Sequence, residues 1–273
     1  MSRGFEIATG NVVGRAHALS GRGSQDAHEV RVDDGRIVAV VADGCGSAEQ
    51  SEVGAWIGAN VVVTAVLRAL DEGLSLDHDS TWRDVRAQAL EAIRSTARAM
   101  GGALEEVVRR YFLFTVVGVA IAGERAVVFS AGDGVVAVNG DVIRLGPFPG
   151  NAPPYIGHGL LGATPFGRAH LTVVRSMPVE EVESILLATD GVDAWDDVEH
   201  KAVPGAKELV GPFAQLWKDD RYFAHPDALR RKLGRMNRPV TKPVWEERRL
   251  EKDAGLLDDD ATVVVVRRKK QGG

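Results

Sequence analysis

The chain predicts an α+β fold in one domain, a sandwich of antiparallel strands with helices grouped on either side. Three observations lead there. Ile37–Ala42 (IVAVVA) and Thr262–Arg267 (TVVVVR) are continuous β-branched runs, which suit strands covered on both faces. Two stretches of helical period precede a β-rich middle, and a polar region with further helical stretches follows it. Asn139-Gly140 joins two short apolar runs with the turn chemistry of an antiparallel hairpin.

In chain order, Ile37–Ala42 is the first predicted strand. Ser51–Leu70 sets Val53, Ile57, Val61 and Ala65 four residues apart and runs out into Asp71, Glu72 and Gly73, so it predicts a helix. Trp82–Met100 repeats that spacing through Val85, Ala89, Ile93 and Ala97 and stops at Gly101-Gly102. Phe112–Ile121, Ala126–Ala131, Val135–Val138 and Val142–Leu145 predict four short strands. Gly146–Gly167 is rich in proline and glycine and predicts an ordered surface loop. Leu171–Ser176 and Ser184–Ala188 resume the strands. From Asp193 to Asp253 the sequence turns polar and predicts a helical insert (residues 193–253), with helices near Ala206–Lys218, Pro226–Met236 and Val244–Lys252. Thr262–Arg267 closes the sheet and leads into a short basic tail.

A length of 273 residues can be absorbed by one large α+β domain. With 45% hydrophobic and 26% charged residues, the composition excludes a disordered regulator, a collagen-like fibre and a coiled-coil rod. A net charge of -5 lacks the basic field of a non-specific nucleic-acid binder. Cys45 is the only cysteine, which excludes an intramolecular disulfide and a multi-cysteine zinc site. Met1–Asn11 has no apolar core of the kind a secretory signal carries, and the apolar run Tyr111–Ala122 is short of the ~20 residues that cross a bilayer. The expectation is a cytoplasmic protein with neither a membrane nor a nucleic-acid partner.

The informative feature is a repeated arrangement of an apolar strand, small residues, then an aspartate followed by glycine. It occurs as VVADG (Val40–Gly44), FSAGDG (Phe129–Gly134) and LLATDG (Leu186–Gly191). The closing strand shows the mirror image, with Asp258, Asp259 and Asp260 just before it. Asp34-Gly35, between charged neighbours, reads instead as an ordinary turn. Carboxylates gathered at strand ends repel one another and raise each other's pKa unless a cation sits among them. Oxygen-only ligands point to magnesium or manganese, since the His and Cys sets that suit zinc are missing. Such a cluster suggests a two-metal hydrolytic site.

At this point the order of motifs resembles the type 2C, metal-dependent serine/threonine protein phosphatases, in particular their compact bacterial branch. The matching pieces are Gly14–Ala27 (GRAHALSGRGSQDA), Val40–Ala55 (VVADGCGSAEQSEVGA), Ser130–Val138 (SAGDGVVAV), Leu186–Trp195 (LLATDGVDAW) and Asp259–Val266 (DDATVVVV). The resemblance implies a four-layer αββα arrangement, two antiparallel sheets flanked by helices, with the metals at one end. It implies that Asp43 bridges two ions with the Gly44 carbonyl beside it, and that Asp190 and Asp259 complete one ion's ligands. Asp26 is matched to the acidic residue that holds metal-bound water, and Asp133 to the ligand of a third metal. The implied partners are phosphorylated proteins and a cognate serine/threonine kinase.

Two positions depart from the family pattern. The arginine that grips the substrate phosphate, five residues before the position of Asp26, is replaced by Gly21, leaving Arg22 or His17 for that task. Cys45 stands where animal members carry a histidine that is a candidate general acid.

Other readings are poorer. A cysteine phosphatase needs a phosphate loop with a downstream arginine, and GCGSAEQ (Gly44–Gln50) has none. An aspartyl-phosphate hydrolase wants a second aspartate two positions after the first, where Cys45 stands. Gly21–Gly23 lacks the GK[ST] of a P-loop, and strands rather than a helix follow SAGDG. The rival of a different class is a catalytically weak or silent phosphoprotein-binding module of the same fold. Its signature would be lost ligands, yet the principal acidic positions are filled.

Overall fold

The computed structural model describes residues 4–162, 170–253 and 255–270. Twelve strands and seven α-helices are formed among the described residues. In order they are β1 (Phe5–Val12), α1 (Arg15–Leu19), β2 (Asp26–Asp33), β3 (Arg36–Gly44), α2 (Ser51–Asp71), α3 (Asp79–Met100), α4 (Leu104–Tyr111), β4 (Phe114–Ala122), β5 (Arg125–Ala131), β6 (Gly134–Val138) and β7 (Asp141–Leu145). After the loop come β8 (Thr172–Pro178), β9 (Ser184–Ala188), α5 (Trp195–Val198), α6 (Gln215–Lys218), α7 (Ala228–Asn237), β10 (Val240–Val244), β11 (Arg249–Asp253) and β12 (Ala261–Arg268).

Two five-stranded antiparallel sheets result, ordered β1-β12-β9-β6-β7 and β2-β3-β4-β5-β8, and β10-β11 stand apart as a hairpin. The two-residue period of a strand sorts its side chains between layers. In β3, Ile37, Ala39 and Val41 join the apolar layer between the sheets, while Val38, Val40 and Ala42 pack against α2 and α3. In β12, Val264 and Val266 face the inter-sheet layer, and Val263 and Val265 face α5, α6 and α7. Three apolar layers between four structural layers give the αββα architecture. This is why the central strands are apolar at every position rather than alternately.

Helix α2 has the length and mean hydropathy, 1.7, of a bilayer-crossing helix. Its Ala55, Ala59, Val62, Val63 and Val66 are instead packed in the helix–sheet core.

Three expectations need correction. Val244–Lys252 is not a helix but the turn and second strand of the β10-β11 hairpin, with Pro243 opposite Leu250. Its few apolar residues make no helical stripe, and Arg248 takes a left-handed φ of 51° to close the turn. The helix expected over Ala206–Lys218 is confined to Gln215–Lys218, because Gly211 (φ 82°) and Pro212 break it. The loop expected over Gly146–Gly167 holds two short 3-10 turns, Pro149–Asn151 and Ile156–Leu160, and residues 163–167 lie outside the described residues.

Candidate metal centre

The carboxylates meet because strand parity carries them to one end of the inter-sheet layer. Asp43 continues the inward row Ile37, Ala39, Val41, and Asp26 is its direct partner across the β2–β3 ladder. On the facing sheet the inward rows Ile185, Leu187 and Val264, Val266 extend to Thr189, Thr262 and Asp260. Thr189 Oγ1 donates to Asp26 Oδ2 at 2.6 Å, and the Thr262 N–H donates to Thr189 Oγ1 at 3.0 Å. The two sheets are thus tied together directly beneath the acidic cluster.

Asp133, Asp190 and Asp259 enter from loops at the same end: Asp133 before β6, Asp190 after β9 and Asp259 before β12. With Asp43, Gly44 and His17 they line a cleft of about 350 Å³, closed on one side by Gly150, Pro153 and Tyr155 of the proline-rich loop. Gly44 is buried at the end of β3, and its N–H donates to the Gln25 carbonyl at 3.2 Å. Arg22 does not line this cleft. The left-handed Gly21 (φ 71°) turns the chain back, the Arg22 N–H donates to the His17 carbonyl, and the Arg22 side chain is exposed.

Burial and mutual repulsion act together on these groups. Burial, reinforced by Asp26, Asp190, Asp259 and Asp133, holds the Asp43 carboxyl well above the usual carboxylate range. Burial pushes Asp26 up to about 8 despite its bond from Thr189. Asp190 is raised to about 6, chiefly by burial and then by Asp133 and Asp259, with a hydrogen bond to Asp43 opposing the rise. Asp133 is raised by burial. A protein that gathers carboxylates and pays for their desolvation stores a large affinity for a multivalent cation.

The donor set fits such an ion. The carboxylates that meet in the cleft offer oxygen alone, the preference of magnesium and manganese. Gln25 Oε1 lies buried at the cleft with no hydrogen-bond partner among the described residues, an acceptor left for a coordinated water. Cys45 is buried beside Gly44 and lies 3.1 Å from Ser47 Oγ. Burial, then the nearby Cys45 thiol, pushes the Tyr155 phenol upward, so it stays protonated.

Asp260 was not among the expected site residues, and it organises the wall of the cleft. Only 3% exposed, it accepts from the Gly14 N–H at 2.6 Å and the Gln25 N–H at 2.5 Å. It also lies 2.9 Å from His17 Nδ1. Ligand atoms of His17, Asp259 and Asp260 fall within 4.8 Å of one another. Asp260 is already engaged by two backbone donors and an imidazole, so it orients His17 and leaves Asp259 for the cleft. The parity that places Val264 and Thr262 inward would have found it. Gly14 must be glycine here, since a Cβ would sit 2.3 Å from the Asp259 carbonyl carbon.

Comparisons with known proteins agree with this architecture. The chain is similar over its whole length to a crystal structure of the catalytic domain of the serine/threonine phosphatase PstP with two manganese ions. The TM-score is 0.50 at 15% identity, covering 96% of this chain and 97% of that one. It is similar to a bacterial serine phosphatase (TM-score 0.52, 13% identity, 98% of this chain and 100% of that one). It is also similar to the phosphatase Stp1 from Staphylococcus aureus (0.51, 14%, 98% and 96%). At these identities the likeness is one of fold. No curated protein matches by sequence. Residues 13–235 match the family description of protein phosphatase 2C, a span that reaches from the loop before α1, through the strand ends carrying Asp26, Asp43, Asp133 and Asp190, into α7. The chain therefore belongs to the protein phosphatase 2C family.

Proposed function

We propose that this protein removes phosphate from phosphoserine and phosphothreonine in proteins, with magnesium or manganese as its metal. The observation that carries the reading is the convergence of Asp43, Asp133, Asp190 and Asp259 on one cleft, with Asp26 buried beneath them. In this reading Asp43, the Gly44 carbonyl, Asp190 and Asp259 are the groups that would hold the metal. Asp133 would hold a further ion. When bound, the metals supply charge neutralisation for the phosphate and lower the pKa of water.

The chain's own residues do the rest. Asp26, fixed by Thr189, keeps an acceptor at the base of the cleft where a proton can be held. His17, which lines the cleft and is held through Nδ1 by Asp260, is the partner of the phosphate in this reading, in place of the arginine that Gly21 and the exposed Arg22 do not supply. Tyr155 and Pro153 line the cleft from the proline-rich loop. A serine/threonine kinase is the counterpart such an activity requires.

The test is hydrolysis of phosphoserine and phosphothreonine peptides by metal-free protein supplied with manganese, magnesium or EDTA. Turnover should require the added metal and vanish in chelator. Full activity in EDTA would sink the reading and return attention to Cys45.

A further inference from the structure

Beside the metal cleft lies a second depression, of about 550 Å³, lined by Arg15, Lys201, Lys242, Lys252 and Asp258 among others. Its charged lining residues are thus four cations and one carboxylate, with Glu251 standing directly opposite Lys242 across the β10-β11 ladder, on a chain whose net charge is -5. Arg15 and Asp258 form an ion pair with each other, which neutralises the one acid among the described lining residues. Among the described residues neither Lys201 nor Lys252 has an ion pair, and both are exposed. The groove is the work of the 193–253 region, because Lys201 follows α5 while Lys242 and Lys252 come from the β10-β11 hairpin.

The two depressions share one wall. Helix α1 is anchored on the approach to β12, with the Arg15 N–H donating to the Leu257 carbonyl and the Ala16 N–H to that of Asp258. Residues two apart on a helix point to nearly opposite sides. Arg15 therefore faces the groove while His17 faces the metal cleft, and Asp258 and Asp259 divide in the same way. Where α1 forms the wall, its thickness is that of one helix, about 10 Å, or about three residues of extended peptide.

We propose that this groove binds an acidic segment of the phosphoprotein substrate, about three residues away from the phosphorylated serine or threonine. The proposal rests on the phosphatase reading for its biological sense, and on charge complementarity for its chemistry. Exposed lysines contribute little singly but add along a groove, and they would favour carboxylates or further phosphates over neutral side chains. Screening over about 8 Å at physiological salt makes the preference salt-sensitive.

The experiment uses two fluorescein-labelled, unphosphorylated peptides that differ only in carrying three glutamates or three glutamines beside the central threonine. Their binding to the full chain is followed by fluorescence polarisation at low salt. The glutamate peptide should bind more tightly, and Lys201→Glu/Lys252→Glu should weaken it about tenfold, the loss of two exposed charge pairs. The control, Lys218→Glu/Lys269→Glu, has the same net charge and should leave binding within about twofold. In parallel, the phosphothreonine forms should show a higher KM with the groove variant, while hydrolysis of p-nitrophenyl phosphate stays unchanged. Equal binding of the two peptides, or equal losses in both double variants, would overturn the groove. If wild-type protein binds the glutamate peptide but hydrolyses no phosphate ester, the phosphatase reading fails while the groove stands.

Discussion

Asp43 and Asp34 are both followed by glycine, yet they occupy opposite chemical situations. Asp34 has a left-handed φ of 43° in the exposed turn between β2 and β3, where asparagine is equally at ease. Asp43 ends an inward row and is surrounded by other carboxylates. Asp34→Asn should leave turnover nearly unchanged, whereas Asp43→Asn and Asp190→Asn should each abolish it. The Asp43 variant should also raise the stability of metal-free protein near neutral pH, because it removes a buried carboxyl that ionises freely only in the unfolded chain. Equal damage from Asp34→Asn would refute this sorting. His17 and Arg22 separate in the same manner. With Arg22 exposed and His17 at the cleft, His17→Ala should raise KM several-fold and Arg22→Ala should change it less than twofold, as initial rates at varied substrate would show. The reverse pattern would move the phosphate contact to Arg22.

At the scale of elements, legibility followed burial. The interior strands β3, β4 and β12 and the long helices α2 and α3 are bounded by turns and glycines and carry unbroken apolar signals, so sequence and structure agree to within a few residues. β1 and β2 pass unnoticed because they are edge strands with one wetted face. β2 in particular ends in exposed Arg31, Val32 and Asp33. α4 has eight residues and only Val107 and Val108 buried, too little for a periodic signal. The β10-β11 hairpin is missed because charged residues suit an isolated hairpin as well as a helix. The candidate site was readable where aspartate precedes glycine; Asp260 and Thr189 were hidden because only strand parity reveals which side they face. The inter-sheet layer should dominate stability. Leu187→Ala, at a fully buried position in β9, should cost roughly 2–5 kcal/mol in urea denaturation. A loss under 1 kcal/mol would mean that the sheets pack less closely than described.

For the molecule as a whole, the acidic cluster makes stability and metal binding one linked quantity. Asp26 and Asp190 are raised to about 8 and about 6, from 3.8. Between those limits the folded, metal-free chain holds more protons than the unfolded one. The stabilisation is therefore full in acid and is lost as pH rises through the folded-state values. Metal-free protein should accordingly show a higher Tm near pH 5.5 than near pH 8.5. Manganese should raise Tm more at pH 8.5, where fewer protons must be displaced. A Tm that rises steadily with pH in chelator would contradict the electrostatic account of the cleft.

The central claim is that this cleft is a metal centre, and anomalous diffraction at the manganese edge from crystals grown with manganese addresses it most directly. The account predicts two strong peaks sharing Asp43, with Asp190 and Asp259 among the ligands, and loss of the shared site in Asp43→Asn. Saturating manganese without a peak in the cleft, or peaks only at surface carboxylates elsewhere, would contradict it.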